Sequence, residues 1–171
     1  MGEIHRKTPN IELPEILRPS NEIPYLLVSN EGKTTATVGH WGFQIQNGKL
    51  IYNARQETAL SKKLFQSCFE HGRCIVPAHS FFEWDQNHHC FEFSMNNKSL
   101  LYFAALFRNQ GAETQIVILT THSRGTVEEV HHRMPLILDE NELRVWLYDP
   151  SASEFLLSQG VRVLKKEYVK G

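Results

Sequence analysis

The sequence predicts a single α+β domain built on a mostly antiparallel β-sheet or open barrel, with a few helices flanking it. Three observations carry that reading. Short apolar or alternating runs outnumber helical ones. They follow one another at the spacing of hairpins and rarely alternate with helices, as a parallel sheet would require. No linker, repeat or low-complexity stretch divides the 171 residues, a length suited to one domain.

The elements follow in order. Residues 1–20 hold Pro9, Pro14 and Pro19 and read as a short extended arm. Ile23 to Val28 and Thr34 to Val38 read as strands joined through Asn30-Glu31-Gly32. Asn47-Gly48 is a strong hairpin signal between Phe43–Ile45 and Leu50–Tyr52. Leu60, Leu64, Phe65, Cys68 and Phe69 recur at helical spacing, which predicts a helix from Thr58 to His71 with Gly72 as its stop. Cys74 to Val76 reads as a short buried strand. Ser80–Trp84, Cys90–Met95, Leu100–Phe107 and Gln115–Thr121 continue an antiparallel sheet. Asp139 with Glu142 predicts a capping box opening a helix to Tyr148. Ser151 with Glu154 predicts another, ending at Gly160, before a last strand from Val161 to Leu164.

Composition excludes several classes. Hydrophobic residues make up 41% and charged residues 22%, which is globular and not disordered. No apolar run approaches the ~20 residues of a bilayer span, and no secretory signal follows Met1. Cys68, Cys74 and Cys90 are odd in number and lie in apolar surroundings, so reduced thiols in a cytoplasmic protein are expected. The formal charge of −1 means that any nucleic-acid binding must come from a local patch.

Four places put functional groups where a fold alone does not need them. Asn53-Ala54-Arg55-Gln56-Glu57 joins a strand to the long helix, a common place for chemistry. Taken alone, Asn53 and Glu57 more simply organise the helix start. Ser80-Phe81-Phe82-Glu83-Trp84 surrounds a carboxylate with aromatics. Alternation puts Glu83 on the face of Phe81, where desolvation raises a carboxyl pKa and suits a general acid. Val130-His131-His132-Arg133-Met134-Pro135 offers a proton-transferring imidazole and a phosphate-binding guanidinium. Adjacent histidines point apart on a strand, and no second ligand pair has metal-site spacing, so neither metal nor cofactor is expected. Thr120-Thr121-His122-Ser123 places hydroxyls at a strand end, either as a phosphate groove or as turn chemistry. Together these residues suffice for proton transfer on a phosphate-bearing substrate.

At this point the residues resemble a known family. Trp41-Gly42-Phe43, Tyr52-Asn53-Ala54-Arg55-Gln56-Glu57-Thr58, Arg73-Cys74-Ile75-Val76-Pro77-Ala78 and Phe81-Phe82-Glu83-Trp84 look like the ordered blocks of the SOS-response-associated peptidase family. Phe103–Leu106, Ile118–Thr121, His131–Leu138 and Trp146-Leu147 continue that order. The likeness spans roughly Ile16 to Leu147, and many short motifs in sequence make it specific. It implies one domain of that family's fold over residues 1–171, with a divergent arm at 1–20. It also implies recognition of abasic sites in single-stranded DNA, by a monomer in the cytoplasm that joins the nucleoid when bound to DNA.

In that family an N-terminal Cys condenses with the sugar aldehyde as a Schiff base and closes a thiazolidine. The peptidase name refers to removal of the protein's own N-terminal residues. Carried over by position, Asn53 would position the reacting amine. Glu83 would act as acid and base, and His131 would assist proton transfer. Arg55, Thr120 and Arg133 would hold backbone phosphates.

The likeness fails at the start. This chain begins Met1-Gly2-Glu3-Ile4, and none of its three cysteines lies near that end. The loop from Gln44 to Lys49 is a tight turn where relatives carry a longer loop with a base-wedging Trp, so base stacking should be weaker. Four readings therefore stay open. The chain reacts through its N-terminal amine alone, with a lyase-like outcome. It is a noncatalytic single-strand binder. It is a shortened or altered form of an active enzyme. It is an unrelated hydrolase using Cys74 or zinc.

Overall fold

The computed structural model describes residues 14–152 and 164–170. Five strands form its centre: β1 (Glu22–Val28), β2 (Thr34–Trp41), β6 (Arg73–Ala78), β9 (Leu101–Gln110) and β10 (Glu113–His122). They pair in the order β10-β2-β1-β6-β9, and β9 pairs again with β10, so the sheet closes into a barrel. The pairings are antiparallel except β2 with β10. Closure removes the free edges that an open sheet would present.

Smaller elements hang on this ring. β3 (Phe43–Gln44) and β4 (Leu50–Ile51) form the expected hairpin. Its turn residues Asn47 and Gly48 take φ of 72° and 73°, the left-handed values that an Asn-Gly turn favours. β5 (Asn53–Arg55) runs parallel to β10, and β11 (Arg133–Pro135) pairs antiparallel with it. Neither is among the strands that the sequence pattern predicts. β7 (Ser80–Trp84), β8 (Cys90–Ser94) and β12 (Lys165–Val169) make a separate antiparallel sheet.

The long helix expected from Thr58 to His71 is broken into α1 (Gln56–Ala59) and α2 (Lys63–His71). Ser61 N–H and its hydroxyl both donate to Thr58 O, at 3.2 and 2.9 Å, and Lys62 then turns extended. Gly72 ends α2, but with φ of −129° it is not a left-handed cap. Its missing side chain matters for space, because a Cβ there would lie 2.2 Å from Phe107 O. α3 (Glu140–Tyr148) opens on the expected capping box, with Asp139 accepting from Glu142 N at 3.0 Å and Glu142 accepting from Asp139 N at 2.7 Å. The helix expected after Ser151 lies outside the described residues beyond a short 3-10 turn at Pro150–Ala152, as does most of the strand expected from Val161. The arm at 1–20 is likewise described only from residue 14, and carries no strand there.

Alternation along the strands splits the core in two. Ile23, Tyr25, Cys74, Val76, Phe103, Ala105, Ile116 and Ile118 fill the barrel and meet Phe81 and Phe93 of the second sheet. Ile75, Ala104, Leu106, Val117 and Leu119 point outward against Phe65, Phe69 and Trp146 of the helices. Buried Arg73 joins the two helices. Its guanidinium donates to Phe69 O at the end of α2 and its Nε to Trp146 O of α3 at 2.6 Å, satisfying carbonyls that a helix end leaves unpaired.

Candidate functional site

Ladder register decides which side chains share a face. Ile118 points into the barrel. Asn53 lies opposite Ile118, Arg55 opposite Thr120, and Arg133 opposite His122. Thr120 and His122 follow Ile118 at two-residue steps. These side chains therefore form one row at the barrel mouth. From β7, Glu83 shares the inward face of Phe81 and stands opposite Phe91, which brings it over the same mouth.

There Glu83 meets His131. Glu83 Oε2 lies 3.4 Å from His131 Nδ1, with the two side chains 23% and 33% exposed. Burial among aromatics pushes the Glu83 carboxyl above its ordinary value, and His131 offsets part of that rise. His131 Nδ1 also faces Arg133 O at 3.1 Å and the Arg133 N–H at 3.2 Å. His131 Nδ1 thus sits among Glu83 Oε2, Arg133 O and the Arg133 N–H. The site thus pairs a carboxyl inclined to keep its proton with an imidazole able to accept one.

Arg133 is held from both sides. Its Nη1 and Nη2 donate to the two Glu57 carboxylate oxygens at 2.7 and 3.0 Å, and Nη2 also donates to Thr120 O at 2.7 Å and Thr120 Oγ1 at 3.1 Å. The guanidinium holds the Glu57 carboxyl below its ordinary value. His122 Nε2 sits 3.3 Å from the same carboxylate. Arg133 and Thr120 are therefore joined, and the guanidinium is already occupied by Glu57. Nothing local in the sequence points to this Glu57–Arg133 pair.

Asn53 and Arg55 are exposed. Asn53 shares the face of the site, but no hydrogen bond joins it to Glu83 or His131. Between them in sequence, Ala54 is buried in the outer core, which locks the strand and its outward neighbours in place. Gln56 Nε2 donates to Thr121 Oγ1 at 2.7 Å and ties the start of α1 to β10. Sequence reasoning also missed the aromatic pair Trp41–Tyr52 beside Asn53, with ring centroids 6.3 Å apart at 88°.

The thiols stand apart from this chemistry. Cys68 and Cys74 are buried, and burial pushes the Cys74 thiol well above its ordinary value, which suppresses the thiolate a nucleophile needs. Among the described residues no cluster of three or more His, Cys, Asp or Glu could hold a metal ion. No helix among them is long and apolar enough to cross a membrane.

Known proteins resemble this chain in sequence and in fold. The abasic site processing protein YoqW of Bacillus subtilis is 34% identical over 117 residues, which is 63% of this chain and 52% of YoqW. The abasic site processing protein YedK of Escherichia coli is 29% identical over 57% of this chain and 47% of its own length. The abasic site processing protein HMCES of Xenopus tropicalis is 31% identical over 56% of this chain and 37% of its own. These alignments span about half the length of the bacterial relatives and less of HMCES. A crystal structure of a Bordetella bronchiseptica protein superposes with a TM-score of 0.79 at 23% identity, covering 95% of this chain and 90% of that one. One from Bacteroides thetaiotaomicron gives 0.73 at 21%, covering 88% and 75%. The fold is theirs. Residues 7–168 match the sequence profile of the SOS response associated peptidase (SRAP) family, so this chain belongs to that family.

Proposed function

We propose that this chain processes abasic sites in single-stranded DNA, reacting with or shielding the sugar aldehyde through its N-terminal amine. The observation that carries the proposal is the Glu83–His131 pair, supported by the row in which Asn53 and Arg55 lie opposite Ile118 and Thr120. The names of the relatives supply the substrate class.

The amine attacks the aldehyde carbon; His131 takes one proton from the nitrogen and Glu83 gives one to the former carbonyl oxygen, which yields a carbinolamine. The proton now on His131 passes to the hydroxyl, water departs as an iminium forms, and the Glu83 carboxylate takes the last nitrogen proton to leave the imine. Asn53 positions the amine and the aldehyde. Arg55, Thr120 and Arg133 hold the backbone phosphates, with Arg55 exposed at the end of its strand and Arg133 anchored by Glu57. No thiol, metal or cofactor enters these steps. The working unit is a monomeric single domain over residues 1–171, located in the cytoplasm and on the nucleoid when bound to DNA.

The test is a denaturing gel of the protein incubated with single-stranded DNA carrying one abasic site, with and without borohydride. A shifted band, in either lane, is expected. A band only with borohydride identifies an imine. No band in either lane overturns the covalent reading.

A further inference from the structure

We propose that Tyr52, braced by Trp41, is a stacking platform for an unpaired base next to the abasic sugar. The inference rests on the reading that single-stranded DNA is the ligand.

Four large aromatic side chains are exposed among the described residues: Tyr52, Trp84, Tyr148 and Tyr168. Three have other surroundings. Tyr148 bonds Thr34 Oγ1 at 2.9 Å and lies under Arg144. Tyr168 packs edge-on against Phe91 and His89. Trp84 borders the groove of His122 and His131, whose walls also carry Asp85, Glu128 and Glu129. Tyr52 differs from all three. It is 44% exposed, precedes Asn53 directly, and stands three residues from Arg55, an exposed cation that forms no ion pair among the described residues.

Its placement is fixed by the fold. The Tyr52 carbonyl accepts from Ile118 N–H at 3.1 Å and from Trp41 Nε1–H at 2.9 Å. Trp41 pairs with Ile116 and Asn53 with Ile118 along the same side of β10. The indole edge-on to the Tyr52 ring therefore sits one ladder step from Asn53. A ring braced on one flank by Trp41 and open on the other, with Arg55 exposed three residues further on, offers the two parts that single-strand sites combine, an aromatic platform and a backbone cation.

Binding is measured with a single-stranded oligonucleotide carrying a tetrahydrofuran abasic analogue, which cannot react, and 2-aminopurine beside it. Wild-type protein is expected to bind and to quench the 2-aminopurine. Tyr52→Ala is expected to weaken binding by roughly 5- to 100-fold, the range for losing one stacked base, with the salt dependence unchanged and the quenching lost. Tyr52→Phe is expected to match wild type. Tyr52→Leu, which keeps apolar cover on Trp41 without a π-face, is expected to behave like Tyr52→Ala. Wild-type affinity in Tyr52→Ala, or in Tyr52→Leu, overturns the platform. Failure of wild-type protein to bind the oligonucleotide overturns instead the single-strand reading on which it rests.

Discussion

Glu83 and His131 meet at 3.4 Å across the barrel mouth, and the aromatic face that buries Glu83 raises its carboxyl pKa above the ordinary 4.5. The same burial has opposite effects on chemistry and stability. A carboxyl that gives up its proton less readily than usual is a useful acid. Between its ordinary value and its raised value the folded state binds more protons than the unfolded state, so stability falls as pH rises through that window. Glu83→Gln is therefore expected to lose about 10²-fold or more in adduct formation. It should also melt higher than wild type at pH 7–8, and the difference should vanish on acidification. Adduct gels and thermal melts across pH check both. A melting point below wild type at neutral pH would show that the ionised carboxylate is a structural partner.

Glu57 predicts the reverse sign. Arg133 holds its carboxyl low, so the pair stabilises the fold above the ordinary carboxylate value and loses that contribution as pH falls through the lowered one. The Glu57 side chain is 34% exposed, which limits the effect to about 1 kcal/mol. Glu57→Gln should melt lower than wild type at pH 7, with the gap closing in acid. Freed from the carboxylate, Arg133 should bind phosphate more readily, so DNA affinity should hold or rise. A loss of affinity would mean that Glu57 orders the DNA-contacting surface itself.

Elements with their own period were legible in sequence, and elements defined by a distant partner were not. Ser80–Trp84 has the bounds its pattern predicts because its alternation is complete within five residues. That alternation also put Glu83 on the buried face. β5 and β11 are three residues each, too short to show a period, and are strands only because β10 lies alongside. Glu57 and Arg133 lie 76 residues apart, and no local pattern couples them. The break between α1 and α2 was hidden because Leu60 and Leu64 keep helical spacing across it, while the backbone turns at Ser61.

Gly72 carries a stability prediction from space alone. A Cβ there would meet Phe107 O at 2.2 Å, and the neighbour is backbone. Phe107 N–H also donates back to Gly72 O, at 2.6 Å, so the contact cannot open without breaking that bond. Gly72→Ala is expected to cost about 2–3 kcal/mol, toward the upper end of the range for overpacking a tight site. Chemical denaturation measures it. A loss below about 0.5 kcal/mol would mean that β9 and the end of α2 can part at this point.

Arg55 separates binding from chemistry. It is exposed at the end of β5, opposite Thr120 and two residues from Asn53, and makes no ion pair among the described residues. If it neutralises one phosphate, Arg55→Ala should lower the slope of log affinity against log salt by about 0.7, the single-strand value for one contact. Affinity should fall uniformly across sequences, because a phosphate contact carries no base information. The rate of adduct formation at saturating DNA should stay near wild type, since Glu83 and His131 are untouched. Asn53→Ala should do the opposite, slowing the reaction while leaving affinity and salt slope near wild type. The two variants, titrated at several salt concentrations and followed by gel at saturation, give a crossed result if the roles are assigned correctly. A fall in rate but not in slope for Arg55→Ala would place the guanidinium at the reacting sugar instead of the backbone.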